Sequence, residues 1–537
     1  LQIARPLQIA RPLQIARPLQ IARPLRLVIA AIAVAAGLTG VAAVDAAATG
    51  SRVAAHPMRD QPPLPAALRL ASGGHRIPNG FFGLSIEYNE LQSYEKTGTP
   101  FFNLLSILRP RDGGPMLLRI GGKSADHALW EPTTSTTTTT STTPASRPKL
   151  ARGVFRLNST WLPELRQLVQ REDLRVILDL NLAVHSTTMA VAFAKAVRQG
   201  LPRGAIAGME IGNEPDEYHY QPPLSRERVP STSPNTPLSW WHNYSPANYR
   251  LDYRSYARAL NAGLPGIALG APDITTPSPE WLSAVTGLGR LNPSFLAIHL
   301  YASSTCWPAN SPGYPTIPRL LAESASAGLA GSVTNAITVA RERHMALRLT
   351  EVNSVSCGGN AGVANTFASA LWAPDALFSF IDAGVDGVSW HIRPKKVNAP
   401  FQLTSSGIVA LPELYGLAVF AQMTHGPATV LASTLSASHQ LNLRAWAVQN
   451  RGTIKVLVIN KGARAAEVSL PARGGAPAVV RRLTAPGIGA TSGIRFAGMT
   501  IGPDGRWHGR EVETRLAKAA GLYRLLVPGY SAALVTL

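Results

Sequence analysis

Two short runs each deliver a carboxylate at the end of an apolar, strand-like stretch: Gly208-Met209-Glu210-Ile211-Gly212-Asn213-Glu214-Pro215 and Leu347-Arg348-Leu349-Thr350-Glu351-Val352-Asn353. In an α/β barrel, side chains at the C-terminal ends of the strands face the active site, so Glu214 and Glu351 would meet across one mouth. Two carboxyls about 5–5.5 Å apart can cleave a glycosidic bond with retention: one attacks the anomeric carbon while the other protonates the departing oxygen. Glu214 is assigned as the acid/base and Glu351 as the nucleophile. The acid needs a raised pKa, which burial and a neighbouring carboxylate supply, whereas the nucleophile must stay ionised. Either glutamate alone reads equally well as an ordinary polar residue at a strand end. The pair, on two strands of one barrel, is what points to glycosidase chemistry.

The elements that must position this pair are legible. Apolar runs at 81–88, 116–122, 175–183, 207–213, 267–273, 295–301, 347–353 and 387–393 alternate with stretches of helical periodicity, among them 101–108, 160–171, 189–198, 249–262, 317–343 and 366–383. Eight such alternations predict an α/β fold, a (β/α)8 TIM barrel over residues 80–426, with Glu214 ending the fourth strand and Glu351 the seventh. After a last helix at 411–423 the pattern changes to short β-rich runs at 440–448, 453–459, 465–470 and 531–537, separated by Gly, Asn and Pro turns. Residues 427–537 are expected to form an antiparallel β-sandwich, to which 67–71, inside the linker 49–79, adds a strand. With no carboxylate at a comparable strand end, that domain is expected to support rather than catalyse.

The chain has 51 basic and 31 acidic residues, a net charge of +20. Nucleic acid is disfavoured as the partner: the arginines are scattered, and neither paired Cys/His zinc spacing nor an aromatic RNA-binding signature is present. A basic surface facing acidic carbohydrate fits the same balance. Residues 1–24 are four copies of Leu-Gln-Ile-Ala-Arg-Pro, in which a proline every sixth residue breaks any helix, and are read as non-structural. The apolar run 25–44, followed by Ala46-Ala47-Ala48, reads as a secretory signal over 25–48 or as an uncleaved membrane anchor. Both imply a secreted or extracytoplasmic protein. Cys306 and Cys357 follow the sixth and seventh strands and are either a disulfide or two separate thiols; with so few soft ligands no metal site is expected, and no cofactor is called for. The Thr/Ser run 132–144 and the Pro-, Trp- and Tyr-rich stretch 221–248 are expected as loops near the mouth.

The ordered set Gly83-Leu84-Ser85-Ile86-Glu87, Leu118-Arg119-Ile120-Gly121-Gly122-Lys123-Ser124-Ala125-Asp126, Ile211-Gly212-Asn213-Glu214-Pro215 and Leu349-Thr350-Glu351-Val352-Asn353-Ser354 resembles glycoside hydrolase family 79, the β-glucuronidase and heparanase-like family. Ala485-Pro486, 493–498 and Asp504-Gly505 resemble that family's C-terminal β-domain, so the likeness spans roughly 66–537. It implies that Asn213 hydrogen-bonds the sugar 2-hydroxyl and that Glu87 and Asp126 hold further hydroxyls, although Asp126 also suits a cap. Tyr301 would donate to the nucleophile or pack the barrel top. His299, one layer deeper by alternation, reads as a supporting core histidine. On the eighth strand, where the family reads a uronate carboxylate with a tyrosine, this chain has Trp390, His391, Arg393 and Lys395. Arg393 and Lys395 are the substitutes or a solvated basic loop; Trp390 is a sugar platform or packing. The expected function is an exo-acting retaining β-glucuronidase. The alternatives are an arabinofuranosidase or xylosidase of the same clan, and a noncatalytic cell-surface glycan-binding protein.

Overall fold

The computed structural model describes residues 61–110, 114–131, 153–157, 160–219, 243–473 and 476–537. The hexapeptide repeat, the apolar run 25–44, the Thr/Ser run and residues 220–242 lie outside them. Eight parallel strands, Phe82–Glu87, Met116–Gly121, Leu174–Leu180, Ile206–Ile211, Leu269–Ile274, Phe295–Ser304, Ala346–Ser356 and Gly387–His391, close into a barrel in chain order. Ordinals below refer to this series. Every strand expected from the sequence is present, because each is an apolar run too short for a helix and bounded by turn residues. Among the described residues no helix is long and apolar enough to cross a membrane.

Helices Trp161–Arg171, Thr187–Gly200 and Pro246–Gly263 cover the barrel with one apolar stripe each. Ser245 starts the last of these through a capping box with Asn248, which satisfies otherwise orphaned backbone donors. Phe367–Ala383 and Pro412–Met423 differ: they are buried almost all round, lying between the barrel and the C-terminal domain. The single helix expected over 317–343 is instead broken into Ile317–Leu321, Ala327–Gly331 and Thr334–Glu342. The cause is tertiary. Ser326 leaves helical geometry and turns its hydroxyl to Asp375 Oδ2 at 2.7 Å.

The C-terminal domain is a ten-stranded sheet, antiparallel except for one pair. Leu64–Arg76, which precedes the barrel in sequence, lies inside this sheet between Thr429–Ala437 and Ala466–Pro471. The strands enclose a separate apolar core that includes Leu68, Val456, Val458, Val468 and Leu525. Where sheet meets barrel, the fully buried Asp375 binds Lys461 Nζ at 2.8 Å, Trp446 Nε1 at 2.9 Å and Arg444 Nε at 3.3 Å. Burial alone would raise the Asp375 carboxyl, but Lys461 and Arg444 hold it below the usual range.

Removing one member of a buried ion pair strands the other, at a cost of about 3–5 kcal/mol, whereas an apolar replacement of both is tolerated far better. Denaturant unfolding is therefore expected to find Asp375→Ala weakened by about that amount, and Asp375→Ala/Lys461→Met clearly less so. Equal losses would mean that the pair contributes packing volume only.

Candidate active site

The barrel interior departs from the apolar filling usual in this fold. Ser85, Arg119, Asp179, Glu210, Asp273, His299 and Glu351 come from seven different strands, and all are buried. Arg119 is the hub. Its Nε meets Glu210 Oε2 at 2.9 Å, its Nη2 meets Asp273 Oδ2 at 2.7 Å, and its Nη1 meets Glu351 Oε2 at 3.0 Å. Nη2 also reaches Asn213 Oδ1 at 3.2 Å and Asp179 Oδ2 at 3.4 Å. A planar fork with five donors can serve this many acceptors at once; an ammonium cannot.

The glycines after Arg119 follow from this crowding. A Cβ on Gly121 would stand 2.6 Å from the Arg119 guanidinium carbon and 2.8 Å from Asp179 Cβ. One on Gly122, whose φ is +70°, would stand 2.8 Å from the Glu87 carboxyl. The Arg-Ile-Gly-Gly run is thus a guanidinium with the clearance it needs.

His299 is the second buried cation. Burial would lower its pKa, but Asp273 and Glu351 raise it well above the ordinary histidine value. Its Nε2 lies 2.9 Å from Asp273 Oδ1 and its Nδ1 3.0 Å from Glu214 Oε1, so the imidazolium donates to both. Asp273 also accepts from the Thr350 hydroxyl at 2.8 Å; against burial, His299 and Arg119 keep it ionised. Two other carboxyls go the opposite way. Burial, with Asp273 nearby, pushes Glu210 up to about 7 and Asp179 well above its usual range. The two cations therefore face acids of two kinds, Asp273 and Glu351 held down and Glu210 and Asp179 pushed up.

Glu351 ends this network at the mouth. Its Oε1 accepts from the Tyr301 hydroxyl at 2.5 Å and lies 2.8 Å from His391 Nδ1. Burial would raise its pKa, yet His391, His299 and Arg119 together hold it well below the usual carboxylate range. Glu214 is the more open of the two, with its side chain 27% exposed against 7% for Glu351. It sits in the left-handed region at φ 48°, just after Gly212 at φ 83°, so the chain turns sharply and lifts its carboxyl over the barrel. Its N–H donates to the Asp273 carbonyl at 2.9 Å, and Asp216, two residues on, accepts from the Thr275 and Thr276 amides. Loops four and five are thereby locked together. One carboxylate oxygen from each of Glu214 and Glu351 and one ring nitrogen of His299 lie within 4.8 Å of one another. Such a group has the outline of a metal site, but both His299 nitrogens are committed as donors, so the ring offers no lone pair.

The remaining expected residues fall into two groups. Asn213 turns its amide oxygen to Arg119, leaving the NH2 end to donate elsewhere. Glu87, bound by the Ser124 amide at 2.8 Å, faces His391 Nε2 at 3.8 Å and Arg393 Nε at 3.6 Å. Asp126 is enclosed beneath Tyr218, which donates to it at 2.8 Å, and burial pushes its carboxyl up to about 8. It lies within the short turn Gly122–His127 and caps no helix. Trp390 is a correction. Because His391 points into the barrel, period-two alternation sends Trp390 outward, where it is fully buried against Trp372 and donates to Glu413 at 3.2 Å. It can touch no sugar. Arg119, Glu210, Asp273 and Asp179 are the functional neighbours that the sequence reading passed over; the available signal was a charge inside an otherwise apolar strand.

Residues 428–534 match the glycosyl hydrolase family 79 C-terminal beta domain. That part of the chain is similar to such a domain. The resemblance read from the sequence is met there, and Leu64–Arg76 completes its sheet. No curated protein sequence matches the chain. Among solved structures, a 4-O-α-L-rhamnosyl-β-D-glucuronidase from Fusarium oxysporum 12S is similar with a TM-score of 0.70 at 17% identity, over 88% of this chain and 100% of the other. A GH51 arabinofuranosidase from Xanthomonas axonopodis pv. citri gives 0.62 at 14% identity, over 88% and 100%. An α-L-arabinofuranosidase from Thermotoga maritima gives 0.58 at 12%, over 88% and 99%. At these identities the shared property is the fold, a barrel carrying a β-domain. Cys306 and Cys357, on adjacent loops at the mouth, form a disulfide with Cα atoms 5.9 Å apart.

If His391 is the main support of the ionised Glu351, His391→Asn should move the acid limb of the kcat/KM profile to higher pH. The sign follows from a depressed carboxyl: activity that needs the carboxylate is lost as pH falls through its pKa, and losing the partner raises that pKa. An unmoved limb would assign the limb to another group.

Proposed function

We propose that the protein is a retaining glycoside hydrolase that acts on β-glucuronides. The observation that carries the reading is the approach of Glu214 and Glu351 within 4.8 Å across the mouth, a separation suited to direct attack and too short to seat a water between them. Glu351, ionised and fixed by Tyr301, His391 and Arg119, attacks the anomeric carbon. The glycosidic C–O bond breaks as Glu214 gives its proton to the departing oxygen, leaving a glycosyl ester on Glu351. Glu214, now a carboxylate steadied by His299, takes a proton from water, whose oxygen attacks the same carbon and releases Glu351. Asn213 is suited to hold the 2-hydroxyl.

The uronate preference is supported by charge at the strand-eight side of the mouth. Arg393 Nε is buried and finds no hydrogen-bond partner among the described residues, and neither does His391 Nε2. A sugar carboxylate would satisfy both through charge-assisted bonds. The β-glucuronidase fold match and the family 79 β-domain agree with this choice; the arabinofuranosidase structures keep a neutral pentoside substrate as the second reading. An exported protein is proposed on the sequence of residues 25–48 alone.

Glu351→Ala is expected to abolish turnover. Glu214→Gln should cost about 10²–10⁴-fold on substrates with poor leaving groups and far less on activated aryl glycosides; equal losses would overturn the role assignment. A panel of aryl glucuronide, xyloside and arabinofuranoside decides the sugar, and turnover of only the neutral members would remove the uronate reading. Glycan binding without turnover of any member would favour a noncatalytic protein.

A further inference from the structure

Helix Pro412–Met423, buried almost all round, carries one charged residue, Glu413, and that side chain is buried too. Nothing in the mechanism above uses it. Taking a carboxyl out of water is costly unless new bonds replace the water, so what Glu413 touches bears on why it is there. The helix seats closely because Gly416 packs against helix Phe367–Ala383, where a Cβ would stand 2.3 Å from the Ala370 carbonyl oxygen. Glu413 then stands behind the eighth strand, where its Oε2 accepts from Trp390 Nε1 at 3.2 Å. Burial pushes its carboxyl up to about 8, opposed by the neutral side chains of Trp390, Ser354 and Asn353. This contact is one residue from the sugar site. Trp390 precedes His391 and pairs in register with Val352, the residue after Glu351. The Asn353 amide closes the same joint, donating to the His391 carbonyl at 2.8 Å and the Asn398 carbonyl at 2.9 Å. Successive strand side chains point to opposite faces, so holding the outward Trp390 sets the direction of the inward His391. His391 Nδ1 lies 2.8 Å from Glu351 Oε1 and 2.7 Å from the Tyr301 hydroxyl oxygen.

We propose that Glu413 is a positioning residue: acting through the Trp390 indole, it sets the reach of His391 to the nucleophile Glu351. It touches neither substrate nor reacting atoms. The proposal rests on the role given to Glu351 and extends it to the helix behind the eighth strand. In its acid form the carboxyl still accepts a hydrogen bond at its carbonyl oxygen, so an amide of the same shape can replace it. An acid in a first helical turn also favours the helix itself. The two roles separate at Glu351. Arg119, His299, Tyr301 and His391 face that carboxylate, and against burial His391 does most to hold it down. Drawing His391 away must therefore raise the pKa of Glu351, whereas weakening the helix alone leaves it in place.

The test follows the acid limb of the kcat/KM profile on whichever aryl glycoside the full chain cleaves. Glu413→Leu is expected to move the limb to higher pH by about one unit, and so is Trp390→Phe, which keeps an aromatic ring and deletes the donor. The sign is that of a depressed carboxyl losing its support: the carboxylate is lost at a higher pH as the solution is acidified. Glu413→Gln should leave the limb in place. In His391→Asn/Glu413→Leu the limb should move no further than in His391→Asn alone, because Glu413 acts through that ring. A limb unmoved by Glu413→Leu and Trp390→Phe, a limb moved as far by Glu413→Gln, or shifts that add in the double variant overturns the proposal. Should Glu413→Leu not fold, Trp390→Phe and Glu413→Gln decide between them. Wild-type protein that cleaves no glycoside strikes the underlying reading instead. Carboxyl-carbon NMR of protein carrying isotope-labelled glutamate, with Glu351 assigned by its loss in Glu351→Gln, then decides: the Glu351 midpoint should rise in Trp390→Phe, and an unmoved midpoint overturns the positioning role.

Discussion

One buried guanidinium organises this barrel. Arg119 reaches carboxylates on the fourth, fifth and seventh strands and the amide of Asn213, so its position sets where Glu351 stands relative to the fourth-strand turn. A charge this deep is tolerated only when each donor finds an acceptor and the surrounding charge balances. The acids around it are split: Arg119 and the buried histidines hold Asp273 and Glu351 down, while burial pushes Asp179 and Glu210 up. The nucleophile's ionisation is thus a property of the whole interior layer rather than of one contact.

Function asks opposite things of the two glutamates, and the fold answers with two environments. Glu351 lies inside the seventh strand, where its pairing shifts register after Leu349, and is held at both oxygens by Arg119, Tyr301 and His391. Glu214 lies past the strand end, in a left-handed turn, with one oxygen on His299 and much of the rest open to the mouth. A group that must give up and retake a proton needs access to water and substrate. A group that must attack one carbon needs fixed aim.

The β-domain supports this arrangement from outside. Phe367–Ala383 links the seventh strand to the eighth, and its Asp375 is gripped by Lys461, Arg444 and Trp446 of the neighbouring sheet. Phe378 stacks on Trp446 with ring centres 5.6 Å apart, adding apolar contact around the ion pair. The eighth strand, where sugar selectivity is expected to reside, is therefore backed by a helix fixed between two cores.

By itself the sequence determined what depends on local pattern. Eight apolar runs of strand length separated by helical segments dictate a barrel, and Asn213-Glu214-Pro215 and Thr350-Glu351-Val352-Asn353 mark two strand ends, because both periodicity and turn chemistry act over a few residues. The tertiary structure alone decided what depends on charges brought together from distant strands. Arg119, Asp179, Glu210, Asp273 and His299 are scattered over about 180 residues and become one network only when the barrel closes. Protonation was equally invisible, since a carboxylate's pKa is set by burial and by neighbours that the chain order does not reveal. Trp390 makes the same point: its residue type suited a sugar platform, but the direction set by its strand neighbour His391 turned it into the core.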